Sequence, residues 1–197
     1  MAKNSSAETM GGFVVEVVKM FLLAIVIIVP IRVFLFQPFI VRGASMEPNF
    51  QEKQYLIINE FGYKNVELFG GLYTVEPRKA LNRGEIVVFR APSQQKDFYI
   101  KRVVGIPGES VQVKDGVVTI YSEQQPDGYV LDESGYLPTG RRTTGDVKHD
   151  LGEAEYFVLG DNRNASSDSR VFGPIKNVDV IGRVLLRAFP FTDLKIY

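Results

Sequence analysis

The chain has 197 residues, 45% of them hydrophobic, and its 23 Lys and Arg balance 23 Asp and Glu for a net charge of zero. Dispersed, balanced charge excludes the basic footprint of a nucleic-acid binder, and the length allows one membrane segment plus one domain with its own core. No cysteine is present, which removes disulfides, thiolate nucleophiles and Cys-based zinc sites. The single histidine, His149, excludes a multi-histidine metal centre, so any serine chemistry must find its base elsewhere.

Residues 1–12 are polar and Gly-containing and read as a disordered tail. Residues 13–36 read as a transmembrane anchor: from Met20 to Phe36 only Pro30 and Arg32 interrupt the apolar run, and Glu16 and Lys19 stand at its other end. A cleaved signal sequence is the competing assignment. The stretch is long for one, and no A-x-A-like site comes after it. Orientation is not fixed by charge, because Lys3 and Lys19 on one flank are matched by Arg32 and Arg42 on the other.

Residues 37–197 form the expected domain. Its first notable segment is Val41-Arg42-Gly43-Ala44-Ser45-Met46-Glu47-Pro48, where Pro48 restricts the backbone and small residues precede a serine. Ser-Met-x-Pro is also an ordinary turn sequence, so alone it carries little functional weight. Short runs rich in Val, Ile, Tyr and Phe predict strands at Tyr55–Ile58, Glu85–Arg90, Phe98–Val104, Ser110–Val113, Val117–Tyr121, Glu155–Leu159 and Val178–Leu186. Lys114-Asp115-Gly116 predicts a tight hairpin turn. The expected fold is mainly β: an N-terminal transmembrane helix followed by an antiparallel sheet domain. Residues 122–154, rich in Gly, Asp, Glu and Thr, are expected to be an extended excursion of weak structure, with His149 as a solvated loop residue inside it.

Two further stretches carry chemistry. In Phe98-Tyr99-Ile100-Lys101-Arg102-Val103-Val104-Gly105, strand alternation sets Lys101 between Tyr99 and Val103 on one face. Apolar neighbours strip an ammonium of water and lower its pKa, making the neutral amine available as a base. An edge-strand or snorkelling lysine is the bland alternative. Gly160-Asp161-Asn162-Arg163-Asn164-Ala165-Ser166-Ser167-Asp168-Ser169-Arg170 comes after an apolar run and is dense in short polar side chains that satisfy a tight loop, with Asp168 and Arg170 as a bracing pair.

Four blocks occur in order: Ser45-Met46-Glu47-Pro48; Arg83-Gly84-Glu85-Ile86-Val87-Val88-Phe89; Lys101 through Glu109; and Gly160-Asp161-Asn162-Arg163 with Ser166, Asp168, Ser169 and Arg170. Together they resemble type I signal peptidases, membrane-anchored Ser-Lys serine proteases of the S26 family that remove signal peptides from exported proteins. The resemblance covers the chain from the anchor onwards, apart from 122–154. It implies that Ser45 is the nucleophile and Lys101 the general base, that Ser166 orients the lysine, and that Asp168 and Arg170 give structural support. It further implies that Phe39, Val41, Tyr99 and Ile100 shape shallow pockets for small residues. No cofactor or metal is implied. The implied partners are signal-peptide-bearing precursors and membrane lipid, with no nucleic acid, and the oligomeric state is open. The implied location is the bacterial cytoplasmic (inner) membrane, single-pass, with the catalytic domain on the extracytoplasmic face. One branch of the family has an oxyanion-donating serine two residues before the nucleophile. Here Gly43 stands there, so backbone N–H groups are expected to serve, and Gly43→Ser is expected to be tolerated unless the position needs glycine's φ.

Two rival readings fit parts of the chain. A self-cleaving repressor-type protease shares a related Ser-Lys pair but needs a DNA-binding segment where this chain has an apolar one. A membrane-tethered β domain that binds exported chains without cutting them differs from both in yielding no cleaved product.

Overall fold

The computed structural model describes residues 5–34, 36–68, 72–92 and 94–197. Helix α1 runs Ser5–Phe34, and within it Met10–Ile28 is long and apolar enough to cross a membrane. At 1.5 Å per residue those 19 residues span about 28 Å, close to the thickness of a bilayer's hydrocarbon core. None of that window is buried against the domain. The helix differs from the expected boundaries at both ends. Residues 5–12 are helical rather than a disordered tail: Ser5, Ser6, Thr9, Gly11 and Gly12 have low helix propensity, so the segment is helical as an extension of the apolar helix that follows, with no proline before Pro30; residues 1–4 lie outside the described residues. At the far end the helix stops at Phe34, not Phe36, because Phe36 opens the first strand.

The strands are β1 (Phe36–Ile40), β2 (Tyr55–Asn59), β3 (Val66–Leu68), β4 (Tyr73–Val75), β5 (Ile86–Ala91), β6 (Gln94–Gly105) and β7 (Ser110–Lys114). They continue as β8 (Val117–Ser122), β9 (Gln125–Val130), β10 (Val147–Asp150), β11 (Glu155–Leu159), β12 (Ile175–Lys176), β13 (Val180–Phe189) and β14 (Lys195–Ile196). A single-turn helix, α2 (Ser169–Phe172), precedes β12. Among the described residues the pairings are all antiparallel. The main sheet runs β1-β2-β13-β5-β6-β11-β12 with β14 beside β13, a second sheet runs β10-β7-β8-β9, and β3 and β4 form a small hairpin. The expected mainly β domain is what the chain forms.

Each predicted strand is present, and the hairpin between β7 and β8 has Asp115 and Gly116 at φ 53° and 88°, the pair of positive values that a two-residue turn of matching twist requires. The excursion is corrected. Residues 122–154 contribute β9 and β10, which flank β8 and β7 and complete the second sheet. His149 accordingly sits on β10 opposite Val111, half-buried with its ring 5.6 Å from that of Phe157, and is not a solvated loop residue. Gln125-Pro126-Asp127-Gly128-Tyr129-Val130 carries Pro and Gly, which hide it from strand propensity; pairing with β8 overrides that local preference.

Two faces of the main sheet carry separate cores. Val87, Phe89 and Val103 pack on one side with Tyr156 and Val158, while Ile86 and Val88 pack on the other with Met46, Phe50, Leu56 and Ile58. Strand β6 therefore runs between two apolar layers. β11 pairs with it only from Arg102 to Gly105, leaving the Phe98–Lys101 edge open. Outside the sheet, Phe191 is 78% exposed, near Phe189 and the start of β2 at Tyr55.

Candidate active site

Ser45 stands on a turn between β1 and β2. Val41 N–H donates to Gln54 O and Lys53 N–H to Val41 O, both at 2.9 Å, closing the base of the loop. Met46 and Phe50, each at most 1% exposed, drive into the core beneath it. Ser45 is thus fixed from below by apolar burial while it remains partly accessible itself. Gly43 has φ of +77°, the left-handed region where a side chain is strained, although nothing lies within 4 Å of the place a Cβ would occupy. The structure therefore favours the second of the two expectations for this position. Gly43→Ala should lower stability by about 1–2 kcal/mol through backbone strain alone, read as a drop in the denaturation midpoint; an unchanged midpoint would show that the turn relaxes.

Lys101 comes from β6 and is 3% exposed. Its Nζ donates to Ser45 Oγ at 2.8 Å and to its neighbour's carbonyl, Ile100 O, at 2.9 Å. Burial pushes its pKa down to about 8, with Asp168 and Asp161 opposing the shift. The amine also lies 5.3 Å from the Tyr99 ring centre. A serine hydroxyl and an amine that is easily made neutral, within hydrogen-bond reach, can act as nucleophile and base.

The loop after β11 grips the serine segment from the other side. Asn162 N–H donates to Ser45 O at 3.0 Å and Asn162 Nδ2 to Ala44 O at 3.1 Å. Gly160 lies so close that a Cβ there would meet Ser45 O at 2.5 Å and collide with the Ser166 hydroxyl. Asp168 is fully buried and accepts from Gly160 N–H at 3.1 Å and from Arg170 Nε and Nη2, both at 2.8 Å. Burial alone would raise its pKa, but these donors outweigh burial and hold the carboxyl below the usual range. Ser166 is brought into the site but not onto the lysine. Its Oγ is buried beside the Asp168 carboxyl, which it helps to hold charged, while Lys101 Nζ is bonded to Ser45 and Ile100 O.

A cleft of about 850 Å³ opens between β1 and the free edge of β6, with Ser45 and Lys101 in its lining. Phe39, Val41, Tyr99 and Ile100 all line it, joined by Leu56 and Val88, which the sequence did not single out. Val41, Leu56 and Val88 are each at most 4% exposed, so they floor the cleft rather than project into it. His149 is not among its lining residues. Sequence reasoning also missed the Arg102–Asp161 pair, closed at 2.6 and 2.8 Å beside the lysine. Opposite charges in two of the four sequence blocks were the available signal.

Comparisons with known proteins bear on this arrangement. The family model described as "Signal peptidase, peptidase S26" matches residues 14–189. A signal peptidase IB of Staphylococcus aureus strain Mu50 is 31% identical over 182 residues, 87% of each chain. A signal peptidase I of Bacillus licheniformis is 34% identical over 185 residues, 91% of each chain. A crystal structure of a signal peptidase I from Enterococcus faecalis V583 matches at 31% identity with a TM-score of 0.43, over 53% of this chain and 97% of that one. The family and sequence matches define the class as a serine endopeptidase, here carrying an N-terminal apolar helix. The chain belongs to the signal peptidase family, peptidase S26, and is of the signal peptidase I type.

Proposed function

We propose that this chain cleaves N-terminal signal peptides from exported precursor proteins at a membrane surface, with Ser45 as nucleophile and Lys101 as general base. The observation that carries this reading is the 2.8 Å contact between Ser45 Oγ and a buried Lys101 Nζ, both lining the cleft. In the neutral state the amine accepts the Ser45 proton as Oγ attacks the scissile carbonyl. The protonated lysine then returns that proton to the leaving amine, and water, activated by the same base, releases the acyl group. The Ser45 N–H has no acceptor among the described residues, so it supports a role as oxyanion donor in place of a side chain at position 43.

The cleft lies between two open strand edges, β1 and the Phe98–Lys101 part of β6, so an extended substrate segment can pair with backbone while alternate side chains enter the cleft. Bulky side chains on the cleft floor would favour small side chains before the scissile bond. Ser45 lies eleven residues beyond the end of α1, or roughly 36 Å when fully extended at about 3.3 Å per residue. The nucleophile is therefore tethered within about 36 Å of the end of α1. Assignment of the domain to the extracytoplasmic side of a bacterial cytoplasmic membrane rests on the substrates, which emerge there, and is checked by protease accessibility in intact spheroplasts.

The mechanism sets the pH dependence. Lys101 must be neutral to act, so kcat/KM should fall as pH drops through about 8, losing roughly fiftyfold between pH 8 and pH 6. His149→Ala should leave this limb in place. A limb near the ordinary histidine pKa that vanishes in His149→Ala would show that the base is misassigned.

A further inference from the structure

Residues 131–145, between β9 and β10, lie against the loop that grips Ser45, and their contacts converge on one carboxylate. Arg163 has no exposed side-chain surface and sends Nη1 and Nη2 to Glu133 at 2.9 and 2.5 Å. Its Nη1 also bonds Thr143 Oγ1, and its Nε donates to Gly160 O at 2.9 Å. The Tyr136 hydroxyl donates to Glu133 Oε1 at 2.7 Å. Burial first, then the adjacent Glu133, keeps that phenol well above its usual pKa, so it stays a donor. The Tyr136 ring lies 4.2 Å from the Arg102 guanidinium, and its carbonyl accepts from Asn49 Nδ2 at 2.7 Å. That same Nδ2 donates to Asp161 at 2.8 Å.

From Glu133 and Tyr136 the path to the reacting groups is short on both sides. Arg102 adjoins Lys101 in β6 and is pinned from one side by Asp161 and from another by Tyr136. On the other side, Arg163 holds the carbonyl of Gly160, and Asn162 of the same turn bonds the backbone of Ser45 and Ala44. A bidentate carboxylate gives each guanidinium a single geometry, whereas a buried arginine that loses its carboxylate must move or draw in water.

We propose that Glu133 and Tyr136 are positioning residues: they strap the loop 160–163 and the Arg102 end of β6 together, and so set the spacing of Ser45 Oγ and Lys101 Nζ. This rests on the assignment of Ser45 and Lys101 as nucleophile and base. It gives the 131–145 segment a role in the reaction although none of its residues lines the cleft. A displacement of about 1 Å between reacting groups is enough to cost on the order of a hundredfold in rate.

The test uses the full chain in detergent micelles with a signal-peptide-bearing precursor, measuring kcat and KM separately for Glu133→Gln and Tyr136→Phe. Assays are run well below each variant's thermal midpoint, so that the folded fraction equals that of the wild type. The expected result is a fall in kcat of about tenfold or more for Glu133→Gln and about threefold or more for Tyr136→Phe, with KM within about twofold. A contribution to stability alone moves the midpoint and leaves kcat of the folded enzyme unchanged. Retention of kcat within threefold in folded Glu133→Gln overturns the proposal, as does a raised KM with kcat kept, which would assign the strap to substrate binding. Should Glu133→Gln not fold, Tyr136→Phe decides by the same threefold criterion. Ser45→Ala is assayed in parallel: cleavage by it removes the nucleophile assignment, whereas its inactivity beside full kcat in Glu133→Gln removes only the positioning role.

Discussion

With Ser45 as the proposed nucleophile and Lys101 as the proposed base, Ser45→Ala and Lys101→Met should each reduce precursor cleavage by at least about a thousandfold, because such a pair acts as a unit and either loss removes most of what both supply. The two variants differ in stability. The Lys101 pKa is lowered from 10.5 to about 8 in the fold, so the unfolded chain binds more protons between those values. Stability of the wild type should therefore gain from this group as pH rises from about 8 to about 10.5, and carry its full cost of about 3 kcal/mol below pH 8. Lys101→Met removes the cost together with two hydrogen bonds, so at pH 7 it should be no less stable than wild type and should lack the rise. Denaturant midpoints measured across that window check this. A Lys101→Met midpoint that still tracks the wild-type pH curve would place the perturbed group elsewhere.

The second large effect falls on stability. Asp161 is fully buried and accepts two bonds from Arg102 and one from Asn49. Asp161→Ala leaves the Arg102 cation buried at 7% exposure, which should cost about 3–5 kcal/mol. That is a large part of the total stability of a domain, typically about 5–15 kcal/mol. The double variant Arg102→Met/Asp161→Leu should be markedly more stable than Asp161→Ala, since removing both charges removes the uncompensated one. Activity should be lost in both, because Arg102 adjoins Lys101 and Asp161 adjoins the residue that bonds Ser45. Thermal or denaturant unfolding of the full chain in detergent measures the difference; a loss below about 1 kcal/mol in Asp161→Ala would mean that water reaches the guanidinium and replaces the carboxylate.

Several features were legible in the sequence because their causes are local. An apolar run near twenty residues marks a helix able to cross a membrane; Asp115-Gly116 marks a two-residue turn; alternation along residues 98–104 marks a strand with Lys101 between apolar neighbours. The strands at Gln125–Val130 and Val147–Asp150 were not legible. Their residues include Gly, Pro and charged side chains, and they are strands only because β8 and β7 offer them unpaired edges.

The candidate site divides in the same way. Ser45, Lys101, Ser166, Asp168 and Arg170 could be named from short blocks, each block holding its own backbone chemistry. The sequence determined those residue types and the apolar flanks that bury the lysine. Only the tertiary structure decided which groups meet: Ser45 with Lys101, 56 positions apart; Arg102 with Asp161, 59 apart; Arg163 with Glu133, 30 apart. The order β5-β6-β11 puts Lys101, Arg102 and the loop after Leu159 side by side. Such pairings arise from strand order and closure of long loops, which leave no period in the chain, so the partner of a buried charge is fixed by the fold rather than by its neighbours in sequence.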